Sequence, residues 1–89
     1  MISREEFKEK GWKYQRFLED REEYLLKNNI ILFYNAENKK ARINIIKFSG
    51  KEETIANIVD FDQNKLSDVT EVLELNYVEL LKQILRDEE

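Results

Sequence analysis

The chain has no cysteine, no histidine and no proline, and only two glycines among its 89 residues. The lack of cysteine excludes disulfides and thiolate metal sites. The lack of histidine removes the commonest general base and the commonest metal ligand together. With so little proline and glycine, turns must be made from Asn, Asp, Glu and Lys. There is no Pro-, Gly- or Ser-rich linker, no internal repeat and no low-complexity tract, so residues 1–89 read as a single domain. No apolar run is long enough to span a membrane, and the opening Met1-Ile2-Ser3-Arg4-Glu5-Glu6 is charged and has no signal-peptide core. A cytoplasmic location without a membrane partner is therefore expected.

Hydrophobic residues make up 42% of the chain, enough for a core. A chain of this size buries roughly 60–65% of its unfolded surface, so its stability is expected to be modest unless it oligomerises. The net charge of −4 is unevenly spread. Residues 1–27 carry seven acids and seven bases, residues 28–51 one acid and five bases, and residues 52–89 eleven acids and three bases, giving 0, +4 and −8. Generic nucleic-acid binding wants a net basic footprint, and this chain has none. A basic hairpin at 37–51 or an acidic C-terminal third remains as a surface for a complementary partner.

Ser3 and Glu6 stand in capping-box spacing and Gly11 is placed to end a helix, which predicts a short helix over 4–10 that buries Phe7. Residues 12–27 admit two readings, one long helix or two strands. A helix would carry Gly11 internally at about 1 kcal/mol and turn Trp12 away from its apolar face, so strands over 12–18 and 22–27 are preferred. Ile30-Ile31-Leu32-Phe33-Tyr34 is a strand by its branched and aromatic content. A turn at 36–40, with Asn38 able to tolerate the left-handed region, a strand over 41–48, a turn at Ser49-Gly50 and a further strand over 54–61 follow. Asp68 and Glu71 repeat the capping-box spacing and predict one long helix over 69–86, with Val69, Leu73, Tyr77, Leu80 and Ile84 as its core stripe at 100° per residue. Asp87-Glu88-Glu89 sits at the wrong end for the helix dipole and is expected to fray. The expected fold is α+β: an antiparallel sheet of four to five strands, with a short N-terminal and a long C-terminal helix packed on one face.

Three constellations invite function. Asp60, Asp62, Asn64, Asp68 and Glu71 fall at positions 1, 3, 5, 9 and 12 of a calcium-loop pattern. Lys65 occupies the glycine position and Ser67 the apolar one, and a strand end followed by a capped helix uses the same residues. Trp12, Tyr14, Phe33, Tyr34 and Phe48, with Arg16, Arg42 and Lys47, are candidate stacking and phosphate contacts for single-stranded nucleic acid. Strand aromatics more often serve as core and cross-strand packing. Hydroxyls are few and have no histidine to activate them, and no glycine loop cradles phosphate, so no enzyme, cofactor or metal is expected. The third constellation lies on the final helix, where Leu75 and Val78 face away from the core stripe, flanked by Glu71, Glu74 and Glu79. This pair ringed by charge is a candidate interface for a protein partner or a second copy of the chain.

Two stretches carry a resemblance. Glu5-Glu6-Phe7 leading to Gly11-Trp12-Lys13-Tyr14 is one; the other runs from Glu22 to Phe33 and is followed by Asn38-Lys39-Lys40. Together they resemble short phage and mobile-element proteins of low-GC Gram-positive bacteria over the first half to two-thirds of the chain. The resemblance implies a small stoichiometric inhibitor of a host defence system, of the anti-CRISPR type, and brings no catalytic residues with it. The leading expectation is thus a non-enzymatic protein-interaction module acting on a host defence or nucleic-acid-handling protein. The alternatives are a nucleic-acid-binding accessory protein using the 37–51 hairpin, and a small-molecule or calcium binder.

Overall fold

Ser3 opens the first helix: its Oγ accepts from the Glu6 N–H at 3.2 Å, and the Glu6 carboxylate accepts from the Ser3 N–H at 2.7 Å. Gly11 ends it in the left-handed region at φ +98°, and the Trp12 N–H turns back to the Phe7 carbonyl at 3.0 Å. The computed structural model describes residues 1–86. From this start the chain runs as α1 (Arg4–Glu9), β1 (Lys13–Leu18), β2 (Arg21–Leu26), β3 (Ile30–Asn35), β4 (Lys40–Ile46), β5 (Glu52–Ile58), α2 (Gln63–Leu75) and α3 (Tyr77–Leu85). Residues 12–27 are two strands, and Glu19 at φ 62° shapes the turn between them. The expected fraying of Asp87-Glu88-Glu89 lies outside the described residues.

The five strands form one antiparallel meander in the order β1-β2-β3-β4-β5. Period-two alternation sends Tyr24 and Leu26, Ile30, Leu32 and Tyr34, and Ala41, Ile43 and Ile45 to one face, where they meet Phe7, Trp12, Phe61, Leu66, Leu73 and Ile84. Phe7 is fully buried and stacks on Tyr24 with ring centroids 3.8 Å apart. The opposite face carries Arg21, Glu23, Ile31, Phe33, Arg42 and Asn44, and no helix among the described residues covers it. Each edge strand takes part in a pairing interrupted by a register shift and carries exposed charges, which discourages pairing with another sheet.

Three expectations are corrected and one turn is specified. The single helix over 69–86 is two helices that begin earlier. Asp62, not Asp68, is the N-cap, accepting from the Lys65 N–H at 2.9 Å, and Asp68 lies inside α2. The earlier start puts Leu66 on the buried face in register with Thr70 and Leu73. The helix breaks at Asn76, whose side-chain amide donates to the Val72 carbonyl at 2.8 Å beside its own backbone N–H at 3.0 Å. In the 36–40 turn the left-handed residue is Lys39 at φ 57°, because Asn38 is occupied accepting from the Lys40 N–H at 3.1 Å. The last strand is Glu52–Ile58, so Val59 is exposed while Phe61 is buried from the loop before α2.

Candidate interaction surfaces

The C-terminal helices reach the core through specific anchors. Trp12 Nε1 donates to Thr70 Oγ1 at 2.8 Å in the interior, and the Thr70 hydroxyl donates to the Leu66 carbonyl at 2.7 Å. Tyr77 exchanges hydrogen bonds with the Asn29 side chain, and Lys27 Nζ lies 5.3 Å from the Tyr77 ring centroid. The expected stripe therefore faces inward, with Leu73 and Ile84 buried and Val69, Tyr77 and Leu80 packed at the edge of the core.

That edge is not closed. Between β5 and the two helices runs a groove of about 390 Å³, walled by Ile43, Ile55 and Ala56 from the sheet and by Val69, Leu73 and Leu80 from the helices. Val72, Asp68 and Asn76 also line it, and Val72 is 54% exposed. The physical cause is a mismatch of size: Ala56 stands opposite Ile43 in the register, and so short a side chain leaves the space beneath α2 unfilled.

Leu75, the last residue of α2, is 77% exposed, and Val78, in the first turn of α3, is 66% exposed. Glu71, Glu74 and Glu79 are exposed around them. The break at Asn76 falls between Leu75 and Val78, so the two sit on different helices. None of these five residues lines the groove. Sequence reasoning missed the groove because one of its walls comes from β4 and β5, far from the helices in the chain, although the pair Val69 and Val72 was a visible signal. Residues 60–86 hold six acids and three bases, a net charge of −3 (6 against 3) beside this apolar surface. The Glu79–Lys82 pair at 3.4 Å is exposed on both sides and adds little stability.

The other constellations are dispersed. Of the candidate stacking aromatics, Trp12 and Tyr34 are buried in the core, Tyr14 is half-buried, and Phe48 is exposed in the β4–β5 turn; Phe33 lies on the uncovered face. Within the 37–51 segment Lys39 and Lys40 are exposed, Arg42 points to the uncovered sheet face, and Lys47 pairs with Glu53 at 3.5 Å. The calcium-loop pattern does not close. Because α2 starts at Gln63, Asn64, Asp68 and Glu71 are strung along a helix over about 10 Å, too far to converge on one ion. Among the described residues no group of three or more acidic side chains is gathered as a metal site.

One polar cluster has the composition of an active site. Glu22 accepts from Arg4 Nε at 3.1 Å and from the Tyr24 hydroxyl at 2.5 Å, and Arg4 also donates to the Tyr14 hydroxyl and lies over its ring at 3.9 Å. Burial, reinforced by the Glu22 carboxylate, pushes the Tyr24 hydroxyl above the ordinary tyrosine range. The hydrogen bond to Glu22 likewise raises Arg4. These shifts hold Tyr24 protonated and Arg4 charged, the reverse of what a general base needs, and the cluster instead fastens α1 to β1 and β2. The fold thus defines a class, an antiparallel meander with helices on one side and an apolar, acid-flanked groove at the end of that layer. Comparison with family models, curated proteins and solved structures found no match for the chain.

Proposed function

We propose that this protein is a non-enzymatic protein-interaction module whose C-terminal helical layer binds a basic, apolar-faced segment of a partner protein. The observation that carries the reading is the open groove between β5 and the helices, together with Val72, Leu75 and Val78 exposed beside acidic side chains. Buried apolar side chains would supply the affinity, roughly 1.5–3 kcal/mol for each large one before association costs. Glu71 and Glu74 would steer the basic partner and favour fast association. The finer reading, a phage-encoded cytoplasmic inhibitor of the anti-CRISPR type, rests on the N-terminal resemblance alone. A second copy of the chain is the competing occupant, since an exposed apolar patch also suits a homodimer.

The test is the double variant Leu75→Glu with Val78→Glu, compared with Val72→Glu. Captured partner, or dimer mass by light scattering, should disappear in both while the circular dichroism spectrum stays that of the parent. Retained binding in both variants refutes the assignment of this surface.

A further inference from the structure

We infer that the uncovered face of the sheet holds a second binding site, for a small phosphate monoester, centred on Arg21, Phe33 and Arg42. Phe33 stands in the middle of that face, only 8% exposed although no helix lies over it. It is covered by two guanidinium groups, Arg21 with Cζ 4.7 Å from the ring centroid and Arg42 with Cζ at 4.8 Å. The register explains the sandwich: Arg42 is the cross-strand partner of Phe33 on β4, and Arg21 approaches from β2 on the other side. Stacking fixes both guanidinium planes, so their N–H forks are held in place before any ligand arrives.

Neither fork is neutralised. Arg4 is paired with Glu22 and Arg16 with Glu23, both at 3.1 Å, but Arg21 and Arg42 have no ion pair among the described residues. The Nε atoms of both are buried without a hydrogen-bond partner among the described residues. A buried N–H on a charged group left without an acceptor is costly, so both guanidinium groups keep unspent donor capacity.

The surroundings specify the acceptor. The two arginines open onto a cleft of about 370 Å³ that also includes Lys40, Asn35, Asn38 and Asp20. Three bases against one acid make its charge +2 (3 − 1), the complement of a phosphate monoester dianion. The amides add donors and few acceptors. Asn35 Oδ1 already accepts from the N–H groups of Glu37 and Asn38, and Asn38 Oδ1 from that of Lys40, leaving the two NH2 groups to donate. A site rich in fixed donors and poor in acceptors selects an oxyanion. Its volume admits a ligand larger than phosphate itself, whereas the acidic remainder of the chain offers no track for a polyanion.

Side-chain Nε–H resonances of the intact protein are the direct readout, titrated with inorganic phosphate, AMP and a single-stranded oligonucleotide. The Arg21 and Arg42 signals should shift together on adding phosphate and saturate at lower concentration with AMP. Affinity for AMP should fall about tenfold or more in Arg42→Gln, less in Arg42→Lys, and not at all in Lys10→Gln at the C-cap of α1. Unmoved Nε–H signals at concentrations on the order of 10 mM would overturn the proposal, and they require no variant to fold. So would an AMP affinity equal in parent and Arg42→Gln. Tighter binding of the oligonucleotide than of AMP, with a steep salt dependence, would overturn it in favour of a nucleic-acid backbone.

Discussion

On the helix-covered face of the sheet, Tyr24, Leu32 and Tyr34 pack against Phe7, Trp12 and Phe61, and the polar atoms drawn in are paired: Trp12 with Thr70, Tyr24 with Glu22, Tyr34 with the Ile2 N–H. On the uncovered face, Phe33 is shielded by arginines, and the buried side-chain atoms without a partner among the described residues, on Arg21, Arg42 and Asn44, all lie there. One sheet therefore serves two purposes. The covered face is saturated and holds the fold, whereas the open face keeps hydrogen-bonding capacity unspent. The same contrast recurs within the helical layer, where Leu73 and Ile84 are buried and Leu75 and Val78 are not. Stability and binding capacity are separated in space, so they should separate in mutants.

The strongest test of that separation is Phe7→Ala. Removing a fully buried ring stacked on Tyr24 should cost about 3–5 kcal/mol, a large fraction of the stability of so small a domain. Urea denaturation will show it as a fall in midpoint. A loss under about 1 kcal/mol would mean the covered face is far looser than its packing indicates.

Next in size is Thr70→Val, which keeps the shape but strands the Trp12 indole N–H in the interior. A loss of about 1–3 kcal/mol is expected in thermal or urea melts. A near-zero change would show that the Trp12–Thr70 bond does not anchor α2.

Tyr24 gives a pH-dependent version of the comparison. Its folded pKa is raised, first by burial and then by the bond to Glu22, while in the unfolded chain it titrates near 10. Above about pH 10 the unfolded chain loses a proton that the folded chain keeps, so stability is fully present below that pH and falls as pH rises. Urea midpoints measured from pH 9 to 11 should decline, and the decline should be shallower in Tyr24→Phe.

The smallest effect belongs to the exposed pair. Leu75→Glu with Val78→Glu should change the unfolding free energy by only about 0.5 kcal/mol per site, while the proposed partner binding is expected to be lost. An unfolded variant would place these residues in the stabilising set and erase the division between the two roles.

Much of this fold was legible in the chain. The Ser3–Glu6 box, Gly11, the branched strand Ile30–Tyr34 and the inward stripe of the C-terminal helices are local patterns, set by hydrogen-bond geometry and periodicity over a few residues. The choice of strands over a helix for 12–27 was also decidable locally, from Gly11 and Trp12. The break at Asn76 was less so, because an apolar stripe runs through it and only the Asn side chain competes for the Val72 carbonyl. The start of α2 was misplaced because Asp62 and Asp68 are equally good caps by sequence, and burial of Leu66 chooses between them.

By itself the sequence determined the first helix, the five strands, their order and the inward stripe of the C-terminal helices, since each depends on neighbours within a turn or a strand. Which surfaces remain open was decided only in three dimensions. The groove exists because Ala56 on one strand meets Ile43 on another beneath two helices, and the cleft because Arg21 and Arg42, 21 positions apart (42 − 21), close on Phe33 from opposite sides. No local pattern encodes either, because both depend on which side chains the sheet register brings together and on what no other element covers.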